Sequence, residues 1–259
     1  MVATAPGISR RLRAPLAWHK PLSLLGLVLV WGIAAYFIAS PLFPGPIQVS
    51  ETLVRHVTEG ELVGHVGATL GRVAVSFVLA MAIGCGVGIA MGLWPAVNRV
   101  ADGLLLVLLN VPALVTIILC YVWIGLTETA AILAVAINKT PMVAVNMREG
   151  ARMLDPGFAQ LARVYQFGFF KTLRHVVLPQ LAPYLLASAR NGLALIWKIV
   201  LVVELLGRSN GVGFQLQLHF QLFAIDSLLA YTVAFIACVL AIEFLILQPL
   251  ERRVNQWQG

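Results

Sequence analysis

Long uncharged apolar runs alternate with short charged segments along the whole chain. Six runs stand out, at 21–40, 73–98, 103–127, 129–147, 183–206 and 227–248. The first three carry no charged side chain; the fourth is interrupted only by Lys139, the fifth by Arg190, Lys198 and Glu204, and the sixth by Glu243. A helix needs about twenty residues to cross the hydrocarbon of a bilayer. Helices also satisfy their own backbone hydrogen bonds, which lipid cannot do for them. A transmembrane barrel would show short alternating strands instead. The pattern therefore predicts an all-α, polytopic membrane bundle of about six transmembrane helices.

The cations orient the bundle. With the N-terminus inside, the inner segments 1–20, 92–103, 148–180 and 249–259 hold twelve Lys and Arg. The outer segments hold only Arg55 and Arg208. Cytoplasmic loops carry such an excess, so both termini are expected in the cytoplasm. The expected organisation is a tail at 1–20, a permeation domain at 21–248 with its largest inner loop at 148–182, and a tail at 249–259. Arg10, Arg11, Arg13 and Lys20 precede the first run, which is too long for a cleaved leader and reads as a start-transfer anchor. Residues 49–62 mix charge with helical apolar spacing and predict an amphipathic helix on the outer surface.

Composition narrows the function classes. Hydrophobic residues make up 60% of the 259 and charged residues 11%, with a mean hydropathy of +0.90. Neither disorder nor a soluble domain accommodates that balance. The net charge is +7, but the cations form no single stripe, so nucleic-acid binding is not expected. Cys85, Cys120 and Cys238 lie singly in apolar runs and read as packing residues. His19, His56, His65, His175 and His219 are scattered without ligand spacing. No metal or cofactor is expected. The Gly-x-Ser-x-Gly turn of serine hydrolases is absent. So is a phosphate loop ending in Gly-Lys-Ser or Gly-Lys-Thr, so any ATP that drives the protein must be bound by another chain.

Gly84, Gly88 and Gly92 put bare backbone on one helix face at four-residue spacing. They allow a close neighbour, within the bundle or between subunits. The same spacing also arises from the ordinary glycine enrichment of membrane helices.

The 148–182 loop is the most informative segment. Asp155-Pro156 reads as a helix N-cap followed by proline at the first helical position. Phe158, Leu161, Ala162 and Tyr165 then share one face. After Gly168 a second short helix is expected, with Phe169, Leu173, Val176 and Val177 on one side and Lys171, Arg174 and His175 on another, closed by Pro179 and Pro183. Two amphipathic helices outside the bilayer need a membrane surface, the base of the bundle or a partner's groove for their apolar faces.

This segment resembles the cytoplasmic loop of ABC importer permease subunits. That family's pattern is Glu-Ala-Ala, three residues, Gly, nine residues, Ile, any residue, Leu-Pro. Gln160, Leu161 and Ala162 fall on the triplet, Gln166 on the glycine, Val176 on the isoleucine, and Leu178-Pro179 match. Gly168 stands two residues late and is the expected source of a positive-φ turn. Asn110-Val111-Pro112-Ala113-Leu114 with Trp123-Ile124-Gly125-Leu126, and Glu204-Leu205-Leu206-Gly207 with Gly211-Val212-Gly213, are similar to sulfonate, taurine and nitrate permeases. The resemblance spans about residues 50 to 250. It implies a permease in a bacterial inner membrane, paired with a second copy of itself. It implies two copies of an ATPase subunit gripping the loops, and an extracytoplasmic binding protein delivering solute. Gln160, Arg163, Gln166, Phe167, Gly168, Phe169, Lys171 and Arg174 are then the expected ATPase-coupling residues. The alternative reading of the loop's cations is the positive-inside bias alone.

Polar groups at membrane depth are functional candidates. Asn110, Asn138, Lys139, Asn191, Lys198 and Glu204 are the candidate pathway residues, with the cations suited to a small anion such as a sulfonate or nitrate. Internal pairing, or snorkelling near helix ends, is the competing reading, strongest for Arg190 and Glu204. Lys139 and Lys198 lie deeper. Two rival functions are an ion-coupled secondary carrier and a membrane enzyme. The first would usually be larger and show internal repeats; the second needs converging acids, histidines or a nucleophile, which the spacing does not supply.

Overall fold

The computed structural model describes residues 19–249, apart from the side chains of His19, Lys20, Pro21, Ala159, Phe169 and Leu247. The expected tails at 1–20 and 249–259 thus lie almost wholly outside the described residues. Among the described residues every regular element is helical.

Four helical stretches are long and apolar enough to span a membrane. They are α3 (Glu61–Leu93), α6 (Glu128–Arg152), the stretch Phe170–Gly207 ending in α9 (Leu178–Gly207), and Ile225–Ile246 beginning with α11 (Ile225–Ile242). Helix α1 (His19–Ile38) has a shorter apolar stretch, Leu22–Ile38. The third predicted segment is not one straight span. It is the second half of α4 (Pro95–Asn110) followed by α5 (Ala113–Ile124), bent by 99°. Pro112 has no N–H to continue α4, and it holds Val111 in extended backbone, φ −72° and ψ 122°. The count of spans is thus four, or five with the bent pair, beside the shorter α1.

The amphipathic element expected on the outer surface is α2 (Pro46–Thr58), which stops before Gly60 with φ +84°. Residues 61–72, expected outside the second span, extend α3 by three turns. Helix α1 is tied to the turn that precedes α2, with the Trp31 indole N–H donating to the Pro44 carbonyl at 3.1 Å.

The glycine stripe resolves as an interface inside the bundle. A Cβ on Gly84 would stand 2.6 Å from Val143 Cβ, one on Gly88 2.7 Å from Met147 Cβ, and one on Gly92 2.9 Å from the Arg148 carbonyl. All three partners lie on α6, so α3 and α6 are in backbone-close contact along most of their length. Small residues at such a seam are the main packing device where lipid supplies no hydrophobic drive between helices. Around this pair, Ile117 of α5, Ile196 and Val200 of α9, and Tyr231 of α11 complete the apolar core.

Candidate functional site

The loop helices form as their sequence dictates. Asp155 caps α7 (Pro156–Val164) by accepting from the Gly157 N–H at 2.7 Å, with Pro156 in the first turn. The Asp155 N–H donates to Gln180 Oε1 at 3.0 Å, which ties the start of the loop to its end. Of the expected apolar face, only Ala162 is buried; Phe158, Leu161 and Tyr165 are exposed, as are Val164 and, at 83%, Phe170 outside that face. This face is not folded beneath the bundle.

The turn after α7 corrects the expectation about Gly168. The positive φ, +50°, belongs to Gln166, the residue on the family's glycine position, whereas Gly168 is not left-handed. The Phe167 N–H donates to Ala162 O at 2.8 Å and the Gln166 N–H to Arg163 O at 3.0 Å. These two bonds complete a Schellman ending, which places the left-handed residue at 166 and nowhere later. Lys171 Nζ then sits 4.2 Å from the centre of the Phe167 ring, bracing the turn by about 0.5–1 kcal/mol at an exposed site.

The second loop helix does not end at Pro179 or Pro183. Helix α8 (Phe169–Thr172) passes through a π-turn at Leu173–Val177 straight into α9, and Pro183 lies inside that helix. The Leu178 N–H reaches back five residues to Leu173 O. That wider turn makes room for the Pro179 ring, which would otherwise press on the preceding carbonyl turn. The loop foot is therefore mechanically continuous with a membrane span. Gln160, Arg163, Gln166, Gly168, Lys171 and Arg174 are exposed and Phe167 is half-buried; the side chain of Phe169 lies outside the described residues.

The candidate pathway residues are not one cluster. Among the described residues no hydrogen bond or ion pair joins any two of the six. Asn110 caps its own helix by donating to Leu106 O at 2.8 Å. Asn191 and Lys198 are exposed on the monomer, Lys198 beside Trp197 and Phe235 in a groove between α9 and α11. Asn138 is half-buried. Lys139 is only 6% exposed and has no hydrogen-bond or ion-pair partner among the described residues. Arg190 of α9 pairs at 3.0 Å with Glu243, just beyond the end of α11.

Glu204, fully buried, is satisfied from within the chain. Arg72 Nη1 meets its Oε1 at 2.6 Å; Thr69 Oγ1 and the Gly213 N–H donate to Oε2 at 2.9 and 2.8 Å. Arg72 also grips Glu128 with two nitrogens, at 2.7 and 2.8 Å, and donates to both oxygens of Asn210. Arg208 closes the set on Glu128 at 2.6 Å. This network welds α3, α6 and α9 at the end opposite the loop helices. Sequence reading missed Arg72, Glu128, Thr69 and Arg208 as a unit. The available signal was that opposite charges at 72, 128, 204 and 208 fall at one predicted membrane boundary.

Comparison with known proteins adds independent findings. Residues 80–256 match the family described as binding-protein-dependent transport system inner membrane component. The taurine transport system permease protein TauC of Escherichia coli (strain K12) is 32% identical, over 97% of this chain and 95% of that protein. The putative aliphatic sulfonates transport permease protein SsuC of Bacillus subtilis (strain 168) is 28% identical, over 93% of this chain and 88% of that protein. A solved structure of the MetNI methionine ABC transporter in inward-facing conformations superposes with a TM-score of 0.63 at 20% identity. It covers 76% of this chain and 97% of its own, and shows a shared fold.

Proposed function

This chain belongs to the family of binding-protein-dependent transport system inner membrane components, and we propose on that premise how it moves its solute. It is the permease subunit of an ABC importer, a membrane protein whose partners are an ATPase, which hydrolyses the ATP, and a solute-binding protein. That membership sets aside the ion-coupled carrier.

The proposed assembly holds two copies of this chain in a bacterial inner membrane and two copies of the ATPase subunit. The loop end and both termini face the cytoplasm, a reading supported by the excess of Lys and Arg in those segments. The ATPase takes up α7, the turn at Gln166 and the start of the second loop helix, including Gln160, Arg163, Phe167, Gly168, Phe169, Lys171 and Arg174. The observation that carries this reading is an apolar loop face left exposed outside the bundle, with Phe170, Tyr165 and Val164 uncovered. The loop helix runs unbroken into α9, so closure of the ATPases pulls directly on a span and shifts the populations of the two access states.

The solute is a small anion, with a sulfonate the leading class, since TauC and SsuC are named for taurine and aliphatic sulfonates. Lys139 supplies the deep unpaired cation, with Asn138 beside it in sequence. Asn110, Asn191 and Lys198, at or near the monomer's surface, join the pathway only against the second copy, and Glu204 acts by fixing its outer end.

The test is co-purification with the cognate ATPase, and ATP-driven uptake in vesicles, for wild type, Phe169→Ala and Arg174→Glu. Loss of the complex and of uptake in a still monodisperse Arg174→Glu protein supports the assignment. Unaltered assembly and uptake in both variants overturns it.

A further inference from the structure

We infer that the end of the bundle opposite the loop helices carries an acid-sensitive latch, in which His56, His65 and His219 hold α2 and α10 (Val212–Gln221) against α3 and α11 only while the rings of His65 and His219 are neutral. The inference does not depend on the solute or on the docking of the loop.

Three elements meet around Tyr231, which is wholly buried on α11. Its ring centre lies 5.2 Å from that of His56 on α2, 5.5 Å from that of His219 on α10 and 6.2 Å from that of His65 on α3. The His56 and His219 rings are 5.6 Å apart. His56 Nε2 stands 3.1 Å from Ser227 Oγ, and Thr52 Oγ1 donates to Asp226 Oδ2 at 3.1 Å, so α2 is pinned to α11 beside the rings. His65 Nδ1 accepts from the Gly211 N–H at 3.0 Å, and its other nitrogen lies 2.7 Å from the Gln215 amide. Both nitrogens of His219, His56 Nδ1 and the Tyr231 hydroxyl are buried without a partner among the described residues.

Protonation conflicts with this arrangement at two points. A backbone N–H only donates, so a His65 protonated at both nitrogens must release Gly211. A charged His219 ring has no partner for either of its buried nitrogens among the described residues, and burial weakens the solvent's screening of that charge. The charged groups facing the rings are Glu61 and Arg72 of α3 and Asp226 of α11. Burial is the largest influence on His219 and holds its titration below the ordinary histidine range; the neighbouring His56 and His65 act in the same direction, against Asp226 and Glu61. An unfolded histidine binds its proton at about pH 6.5. The latch is thus intact above that value and is lost progressively as pH falls below it. Gly211 adjoins Asn210, a partner of Arg72, so release of the turn reaches the buried charge network.

The experiment is hydrogen–deuterium exchange on the full-length permease in phosphatidylcholine nanodiscs at pH 7.5 and 5.0, corrected for intrinsic exchange rates. The expected result is about tenfold or greater loss of protection at 46–58 and 211–221, since each unit below a histidine's pKa is worth about tenfold. Residues 128–152 keep their protection. His219→Phe keeps a ring without nitrogens, and His65→Gln keeps an acceptor that does not titrate; each is expected to blunt the acid response. Equal protection at the two pH values in wild type overturns the latch. So does an acid response spread evenly over 128–152, or a full response surviving in both variants.

Discussion

Arg72 Nη1 and Glu204 Oε1 stand 2.6 Å apart, joining α3 to α9 across 132 residues of sequence. Arg72 is 5% exposed and Glu204 not at all. Glu204→Ala removes the carboxylate, leaves the Gly213 N–H without its acceptor and takes from Arg72 its most buried counter-charge. Breaking a buried pair on one side costs about 3–5 kcal/mol, and a markedly lower melting temperature in detergent is the expected outcome. Replacing both partners, Arg72→Met with Glu204→Leu, is expected to cost less than either single change. Wild-type melting of Glu204→Ala would mean that the network does not hold the spans together.

The α3–α6 seam gives a contrast between two glycines two residues apart. A Cβ on Gly88 meets Met147 Cβ at 2.7 Å and the Ala144 backbone, whereas Gly86 has open space around it. Gly88→Val forces the helices apart, with an overpacking cost of about 1–3 kcal/mol or more, and Gly86→Ala is neutral. The yield of monodisperse protein after membrane extraction separates them: a fall for the first and none for the second.

The loop turn holds Gln166 at φ +50°. A side chain in the left-handed region costs roughly 1–2 kcal/mol, which glycine avoids. Gln166→Gly is therefore expected to slow amide exchange at the end of α7, and Gln166→Val to speed it, because a β-branched residue fits that region worst. Equal exchange in the two variants would show that the Schellman bonds, and not the residue at 166, set the turn.

The start of the loop was the most legible part of the chain because its signals are local, whereas the turn at Gln166 and the run of the second loop helix through Pro179 and Pro183 were not. Asp155 and Pro156 act on the backbone within two residues, and the cap forms as read. The membrane spans were legible as lengths of apolar sequence, yet their faces were not. Depth along a helix does not say which side points to a neighbour, so Lys198 and Glu204, six residues apart, end one exposed and one fully buried. Arg72 borders the uncharged run that begins at Val73 and reads as lying within a helix, but nothing local names its partners. It lies inside α3 because Glu128 and Glu204 neutralise it there, and both partners are remote in sequence. The bend at Val111-Pro112 was visible as a proline, but only the orientation of α5 against α6 and α9 turns a tolerated kink into a 99° break.

Lys139 gives the sharpest test of the pathway. It lies eleven residues into α6, about 16 Å along the axis from Glu128 at 1.5 Å per residue, and so near the middle of the span. A cation at that depth is expensive and normally answers to a counter-charge or a watery cavity. Glu204 and Glu243, the carboxylates on α9 and just beyond α11, are committed to Arg72 and Arg190, and no carboxylate among the described residues pairs with Lys139. On the proposed reading of the pathway, a translocating anion supplies the missing charge transiently. Lys139→Met removes the charge and keeps most of the volume, so the fold and the ATPase complex are expected to survive with equal or higher thermal stability. Uptake of a sulfonate is expected to fall by about tenfold or more, equivalent to about 1.4 kcal/mol of lost anion stabilisation. Undiminished uptake by a well-folded Lys139→Met protein would remove Lys139 from the pathway and leave the solute's charge to be met by the second copy.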